Sequence, residues 1–126
     1  MNYYVCPICG NVVEKVIDHD VEIFCCNQSM RKLTCGEYPE LAAKHIPISK
    51  YENGKLNVRV GMIEHPMLPE HHIAFITVTY GNTSIRKELH PYEKPEATFD
   101  IGDYKGSILV ESYCNIHGLW CNEIIL

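Results

Sequence analysis

Four cysteines near the start of the chain constrain its fold more than any other feature. Cys6 and Cys9 form a Cys-x-x-Cys pair followed by Gly10, and the adjacent pair Cys25-Cys26 begins sixteen residues after Cys9. A Cys-x-x-Cys loop that ends in glycine turns backbone amides toward its sulfurs, and a second cysteine pair can complete a tetrahedron of thiolates around iron or zinc. A segment this short cannot bury a sufficient core unaided, so we expect a metal to hold it together.

The rest of this segment predicts how the two pairs meet. The runs 12–17 and 21–24 are rich in apolar and β-branched residues and predict a hairpin between the pairs. A connector follows at residues 34–39, where glycine and proline interrupt the pattern. We therefore predict a four-cysteine module at residues 1–36 and a second domain at residues 37–126.

The second domain is predicted to be all-β. Alternating or β-branched runs predict strands at 56–60, 73–80 and 107–113, and weaker patterns predict strands at 84–89, 97–100 and 120–125. Turn sequences separate them at 52–55, 81–83 and 101–103. The only helical signal is a turn near residues 40–44. Several short strands at this spacing indicate a β-sandwich, although the cysteine pair of immunoglobulin domains is absent.

A second group of potential ligands lies where loops should join these strands. It comprises His45, the histidine-rich segment 65–72, and the sequence Cys114-Asn115-Ile116-His117-Gly118. Prolines 47, 66 and 69 stiffen two of the loops and could aim imidazoles at one point. Several imidazoles with one thiolate favour iron, copper or zinc. If four imidazoles lay in a plane with sulfur on one side, the opposite face would be open to a small molecule.

Composition excludes several other functions. The formal charge is −5, with 11 basic and 16 acidic residues, which argues against nucleic-acid binding. The sequence contains neither a membrane-spanning apolar run nor a signal peptide, so we expect a cytoplasmic protein with no membrane partner. In a reducing compartment, seven cysteines indicate metal ligands more than disulfides. We expect Cys35 and Cys121, which fit neither group, to pack as small apolar residues.

The order and spacing of these residues resemble those of the desulfoferrodoxins, the two-iron superoxide reductases. The resemblance covers nearly the whole chain. It rests on the four-cysteine pattern with its adjacent last pair, on Lys44-His45-Ile46-Pro47, on His65-Pro66-Met67 with His71 six residues after the first histidine, and on the Cys-x-x-His-Gly sequence at 114–118.

The resemblance implies an all-β protein in which a small desulforedoxin-like module precedes an immunoglobulin-like β-sandwich. It implies iron at the four-cysteine site, where zinc is possible, and a catalytic iron with four equatorial histidines and one axial cysteine. The expected ligands are Cys6, Cys9, Cys25 and Cys26 at the first site, and His45, His65, His71, His117 and Cys114 at the second. Lys44 would be the basic residue beside the open face. The family reduces superoxide to hydrogen peroxide, usually as a homodimer that receives electrons from rubredoxin-type donors.

One departure from the family pattern affects the second site. The family commonly has glutamate two residues before the first histidine ligand, where this chain has Ala43. Glu37 and Glu40 are close in sequence, but either would need a shifted loop to replace it, so we expect water, hydroxide or an empty position. Two alternatives stay open: a non-catalytic iron electron carrier or redox sensor, and a module with two structural zinc sites, for which five ligands are a poor geometry.

Overall fold

The computed structural model describes residues 2–126 and divides the chain into two compact units, one reaching to Thr34 and the other spanning Cys35–Leu126. The strands of the first unit are β1 (Tyr3–Val5), β2 (Val12–Glu14), β3 (Phe24–Cys25), β4 (Gln28–Ser29) and β5 (Arg31–Lys32). They form a three-stranded antiparallel sheet in the order β2-β1-β5 and a two-stranded hairpin of β3 and β4.

The hairpin predicted between segments 12–17 and 21–24 is wrong. Strand β2 pairs with β1, and β3 pairs with β4. The residues after β2 form a loop because the Lys15 ammonium holds them: its Nζ lies 3.1 Å from the Asp18 carboxylate and donates a 2.7 Å hydrogen bond to the Val21 carbonyl. The apolar side chains that suggested strands, Val16 and Ile17, are exposed on this loop.

The second unit contains two antiparallel sheets preceded by short helices. A 3-10 helix spans Pro39–Leu41, and helix α1 spans Ala42–His45. The strands are β6 (Pro47–Glu52), β7 (Lys55–Val60), β8 (Ile73–Tyr80), β9 (Thr83–Glu88), β10 (Glu96–Asp100), β11 (Ser107–Cys114) and β12 (Gly118–Ile125). One sheet has the order β10-β7-β6, and the other has the order β12-β11-β8-β9.

These elements confirm the predicted β-sandwich and its six predicted strands, with boundaries that differ by up to two residues. Strand β6 was not predicted, because its sequence Pro-Ile-Ser-Lys-Tyr-Glu lacks a clear alternation. It pairs with β7 through a two-residue turn in which Asn53 and Gly54 both have positive φ, the conformation of a type I′ hairpin.

The core lies between the inner faces of the two sheets. In β7, Leu56, Val58 and Val60 are buried while the residues between them are exposed, which is the period-2 pattern of a half-buried strand. The core also includes Phe99 of β10 and the buried residues Ile76, Val78, Ile108 and Val110 of the larger sheet. This rigid frame holds the loops that carry the histidines.

One sequence-based expectation about the cysteines is wrong. Cys35 and Cys121 do not pack as separate apolar residues but form a disulfide, with their Cα atoms 5.6 Å apart. Residues 86 positions apart in sequence are brought together because the Gly36 amide, next to Cys35, donates a 2.8 Å hydrogen bond to the Leu119 carbonyl of β12. Among the described helices, none is long and apolar enough to cross a membrane.

Candidate metal centres

The four cysteines of the first unit converge on one point. Their sulfurs all lie within 4.8 Å of one another, with Cys9 Sγ 3.7 Å from Cys25 Sγ and Cys25 Sγ 4.0 Å from Cys26 Sγ. A tetrahedron with metal–sulfur bonds of about 2.3 Å has sulfurs about 3.8 Å apart. The arrangement therefore has the dimensions of a four-thiolate iron or zinc site.

Backbone geometry explains why these residue types stand at this spacing. Gly10, at φ +81°, closes the first loop so that the amides of Ile8 and Cys9 donate to Cys6 Sγ at 3.4 and 3.5 Å. The second pair is adjacent because Cys26 and Asn27 form the turn between β3 and β4, both with positive φ. Asparagine tolerates this conformation better than most residues.

Ionisation of one thiol makes ionisation of its neighbours less favourable, and a bound cation would remove this opposition. The pKa of Cys6 is lowered to about 6, chiefly by the hydrogen bond from the Cys9 amide. The pKa of Cys26 is raised to about 12, chiefly by its interaction with the Cys9 side chain. One thiolate thus forms readily and opposes the next, and a bound cation is what allows all four to ionise.

The histidines predicted from the loops converge in the second unit. The ligand atoms of His45, His65, His71 and Cys114 lie within 4.8 Å of one another, and His117 Nδ1 lies 3.9 Å from Cys114 Sγ.

The four imidazoles form a closed ring, each edge-on to the next. Neighbouring ring centroids are 4.5 Å apart for His45 and His65, 4.7 Å for His65 and His71, 5.1 Å for His71 and His117, and 5.0 Å for His117 and His45. The corresponding interplanar angles lie between 74° and 87°. His45 and His71, which are not neighbours in this ring, are 6.4 Å apart. The rings therefore occupy the corners of a near-square, with the Cys114 sulfur close to all of them.

Hydrogen bonds to backbone carbonyls fix which nitrogen of each ring faces the centre. His45 Nδ1 lies 2.8 Å from the Leu41 carbonyl oxygen, and His65 Nδ1 lies 2.7 Å from the Pro66 carbonyl oxygen. A carbonyl accepts only from a protonated nitrogen, so each Nε2 carries its lone pair inward. The two Nε2 atoms are 3.0 Å apart. Two inward lone pairs at this distance repel each other unless a cation lies between them.

The inner face of the site contains a buried donor atom with no protein partner. His71 Nε2 is buried and makes no hydrogen bond. A buried polar atom without a partner costs about 1–3 kcal/mol, so such an atom calls for an explanation. Coordination of a metal by this nitrogen supplies one, and it is the observation by which these residues best fit a metal.

Burial tunes the same groups for metal binding. It lowers the pKa of His65 to about 4 and lowers the pKa of His45 and His71, so these imidazoles are neutral ligands at pH 7. Burial raises the pKa of the Cys114 thiol, so a metal must displace its proton to bind the sulfur. The amide of His117 lies 3.3 Å from that sulfur and is placed to donate to the thiolate.

The chain around the site holds these side chains in place. A register shift in β11 between Tyr113 and Cys114 re-aims the cysteine at the end of the strand, where it is fully buried. Trp120 stacks on His45 and donates from Nε1 to the His117 carbonyl at 3.1 Å. The buried Ser112 hydroxyl donates to the His45 carbonyl at 3.2 Å.

Lys44 is exposed on α1 beside His45, and Ala43 precedes it. Among residues 2–126, the group of mutually close ligand atoms formed by His45, His65, His71 and Cys114 includes no carboxylate. His72 lies outside the group and its Nδ1 is 3.1 Å from the Leu68 carbonyl oxygen. It is a neighbour of the site and not a member of the group.

Two residues that support the site were missed in the sequence. Gly61 has φ +86°, and a Cβ there would lie 2.3 Å from the Ile63 carbonyl oxygen and 2.6 Å from that of Lys44. Asn115 receives the His72 amide on Oδ1 at 2.9 Å and donates from Nδ2 to the Glu70 carbonyl at 3.1 Å, which ties the two residues that flank His71. Neither role leaves a local sequence signal, because the Lys44 carbonyl that Gly61 approaches and the two residues that Asn115 bonds are distant in the chain.

Comparison with known proteins identifies the family. The sequence profile of the desulfoferrodoxin family, described as "Desulfoferrodoxin", matches residues 37–123. A desulfoferrodoxin homolog of Methanothermobacter thermautotrophicus is 38% identical over 115 residues, which cover 91% of this chain and 92% of the relative. The chain belongs to the desulfoferrodoxin family.

Superoxide reductases are also among the similar proteins. A superoxide reductase of Thermococcus kodakarensis is 38% identical over 100 residues, covering 66% of this chain and 87% of that protein. The crystal structure of the superoxide reductase from Treponema pallidum superposes with a TM-score of 0.79 at 24% identity, covering 96% of this chain and 95% of that one, and shows the shared fold. The two side-chain clusters match the two-iron arrangement of the desulfoferrodoxins: one of four cysteines, the other of four histidines and a cysteine.

Proposed function

We propose that the protein is a superoxide reductase whose reaction takes place at the site formed by the four histidines and Cys114. The single observation that carries the proposal is the ring of four edge-on imidazoles with the Cys114 sulfur close to all of them. Five nitrogen and sulfur donors exceed the four of a structural zinc site, and they fit an iron centre that can accept one further ligand. The superoxide reductases among the relatives support the same activity.

When bound, iron would supply the chemistry by giving one electron from the ferrous state to superoxide, which takes up two protons and leaves as hydrogen peroxide. The protein's part is to hold the ligands and bring in the anion and the protons. Carbonyl acceptors fix the tautomers of His45 and His65, so their orientation needs no rearrangement during the reaction. Burial of Cys114 keeps water from its sulfur.

Lys44 is proposed to attract superoxide. The substrate is an anion and the protein has a formal charge of −5, so a local cation must offset the overall repulsion. Lys44 is exposed and next in sequence to His45, and this supports the proposal that its ammonium group reaches the site from the solvent side. At about 4 Å, a unit charge pair gains roughly 1 kcal/mol in water and about 4 kcal/mol at an effective dielectric constant near 20.

Water is the proposed source of the protons. Within residues 2–126, no carboxylic acid belongs to the site, and Ala43 cannot donate. Lys44 and Ile116 are exposed, and the loops that hold His71 and His117 are only partly covered, so solvent reaches this region. Lys44 is proposed to hold and orient such a water as well as the anion.

Other parts of the proposal rest on the resemblance to the family. We propose that residues 1–36 act as the desulforedoxin-like module, with iron or zinc bound by Cys6, Cys9, Cys25 and Cys26, and that residues 37–126 act as the catalytic domain. A rubredoxin-like donor, a homodimeric state and a cytoplasmic location are proposed on the same basis. A non-catalytic electron carrier is not favoured, because a carrier has no use for the charged Lys44 beside a five-donor site.

Rapid mixing of the ferrous protein with pulse-generated superoxide tests the proposal. We expect stoichiometric oxidation of the iron, one hydrogen peroxide per superoxide consumed and no dioxygen. Lys44→Ala should slow the bimolecular step about fivefold or more, whereas Lys44→Arg should retain most of it because the charge remains. Lys50→Ala, which removes an exposed lysine of β6, is the control. A ferrous protein inert toward superoxide would contradict the proposal.

A further inference from the structure

The disulfide between Cys35 and Cys121 lies beside an open cavity that the proposed reaction does not use. The cavity has a volume of about 250 Å³ and is lined by both cysteines together with Gly36, Ala42 and Trp120. Hydrogen peroxide is about as large as two water molecules, each of which takes about 30 Å³ in the liquid, so it can reach the sulfurs.

The two cysteines differ in the way that a peroxide-reducing pair requires. Cys35 is exposed, and it stands in the connector before the 3-10 helix. Cys121 is half-buried in β12, and its sulfur lies 3.9 Å from Oε2 of the buried Glu111. The exposed Cys35 thiol is accessible to an oxidant from solvent. The half-buried Cys121 thiol lies within bonding distance of Cys35 and beside the Glu111 carboxylate, which can accept its proton.

We propose that Cys35 and Cys121 form a reversible dithiol–disulfide couple that reduces hydrogen peroxide, which gives the protein a peroxidase activity separate from its metal centres. The formation of hydrogen peroxide by the same protein rests on the proposed function. The reactivity of the two thiols toward peroxide does not depend on it.

The chemistry balances in two steps. The Cys35 sulfur attacks one peroxide oxygen: an S–O bond forms, the O–O bond breaks, and the leaving hydroxide takes the Cys35 thiol proton and departs as water, which leaves a sulfenic acid. The Cys121 sulfur then attacks Cys35, its proton passing to Glu111. The S–S bond forms, the S–O bond breaks, and the hydroxyl takes back the proton held by Glu111 and leaves as a second water. Two thiols and one peroxide give one disulfide and two waters, and a dithiol reductant must restore the thiols.

The redox state of the Cys35–Cys121 pair should be detectable by tryptophan fluorescence. Trp120 is the only tryptophan of the chain, it precedes Cys121, and a Cβ on Gly36 would lie 3.9 Å from its ring. Because a disulfide beside an indole quenches its emission, we expect the fluorescence of Trp120 to rise when the pair is reduced and to fall when peroxide oxidises it.

The test uses the metal-loaded protein, with iron or with zinc in both sites, reduced by dithiothreitol and then freed of it. One equivalent of hydrogen peroxide is added, and the thiols of Cys35 and Cys121 are counted by differential alkylation and peptide mass spectrometry. We expect two thiols lost per peroxide, at least about tenfold faster than free cysteine, in both metal forms, with recovery on renewed reduction. Because no superoxide is used and the zinc form cannot reduce it, this outcome is independent of the proposed function.

Two serine variants assign the roles. In Cys121→Ser, Cys35 should accumulate as a sulfenic acid that dimedone traps, whereas in Cys35→Ser the thiol of Cys121 should survive one equivalent of peroxide. The visible spectrum and circular dichroism of the iron form verify that each variant is folded. Thiols that persist in the parent protein, a disulfide that dithiothreitol cannot open in the folded protein, or sulfenic acid on Cys121 instead of Cys35 would each overturn the proposal.

Discussion

The indole of Trp120 stacks on the imidazole of His45, with ring centroids 4.8 Å apart and planes inclined by 25°. The same indole donates its N–H to the carbonyl of His117 at 3.1 Å. One side chain thus contacts two of the four histidines, one from α1 and one from the turn between β11 and β12. It is 1% exposed, so it packs beneath the histidines inside the protein.

Trp120→Phe should therefore weaken metal binding more than it weakens the fold. Phenylalanine keeps part of the stacking area but cannot donate to His117, and loss of such an outer contact typically costs 10–100-fold in metal affinity. Iron affinity, measured by competition with a chelator, should fall about 10-fold or more. Phe99→Leu, a substitution at the other end of the sandwich core, should lower stability and leave iron affinity unchanged. Equal affinities for the Trp120→Phe and parent proteins would show that the stacking has no such role.

Gly61→Ala should disturb the site through the backbone of Lys44. The added Cβ would meet two carbonyl oxygens below 3 Å, and the positive φ adds strain, so we expect a loss of about 1–3 kcal/mol in the free energy of unfolding together with weaker iron binding. Gly81→Ala is the matched control, because Gly81 also has positive φ but its Cβ would lie 3.9 Å from the nearest atom, on Tyr104. The control should lose stability and keep its iron affinity. Equal effects of the two substitutions on iron binding would contradict the clash.

Asn115→Ala should loosen His71. The side chain of Asn115 makes hydrogen bonds to the backbone of residues on both sides of this histidine, and without them the loop gains freedom that iron binding must remove. We expect lower iron affinity and a broadened visible absorption band. Asn57→Ala, which removes a 2.8 Å hydrogen bond to Thr98 across β7 and β10, should alter neither. An unchanged spectrum in Asn115→Ala would remove this residue from the supports of the site.

The metal-free protein should lose stability as the pH falls from 6.5 toward 4. Burial lowers the pKa of His65 from 6.5 to about 4 in the folded state, so across this window the unfolded chain binds the proton and the folded chain does not. The contribution is fully present above 6.5 and amounts to about 3 kcal/mol for this histidine. Urea unfolding followed by Trp120 fluorescence measures it. His65→Gln should flatten the pH dependence, and a stability that rises on acidification would contradict the assignment.

The sequence could predict which side chains cluster because the geometry of each motif is set within a few residues. The Cys-x-x-Cys loop, the proline-stiffened histidine loops and the Cys-x-x-His-Gly turn each carry their geometry within a few residues, and the described structure brings all nine side chains into two clusters. Six of the seven strands of the sandwich were equally predictable, since alternation such as that of β7 is a local property, whereas β6 lacks it.

Local sequence patterns could not predict the contacts between distant segments. The Cys35–Cys121 disulfide joins residues 86 positions apart. Because neither cysteine has a partner nearby in sequence, the sequence pattern indicated two separate apolar residues. The hairpin predicted after β2 failed because Lys15 and Asp18 hold a loop that the apolar pattern of the segment does not reveal. Gly61 and Asn115 act through space in the same way.

A crystal structure of the iron-loaded protein, with anomalous scattering recorded at the iron absorption edge, tests the five-ligand site most directly. We predict one iron atom in the second unit, bonded to Nε2 of His45, His65 and His71, to Nδ1 of His117 and to Sγ of Cys114, with no sixth protein ligand. Iron bound by fewer of these five atoms, or capped by a carboxylate such as that of Glu37 or Glu40, would contradict it.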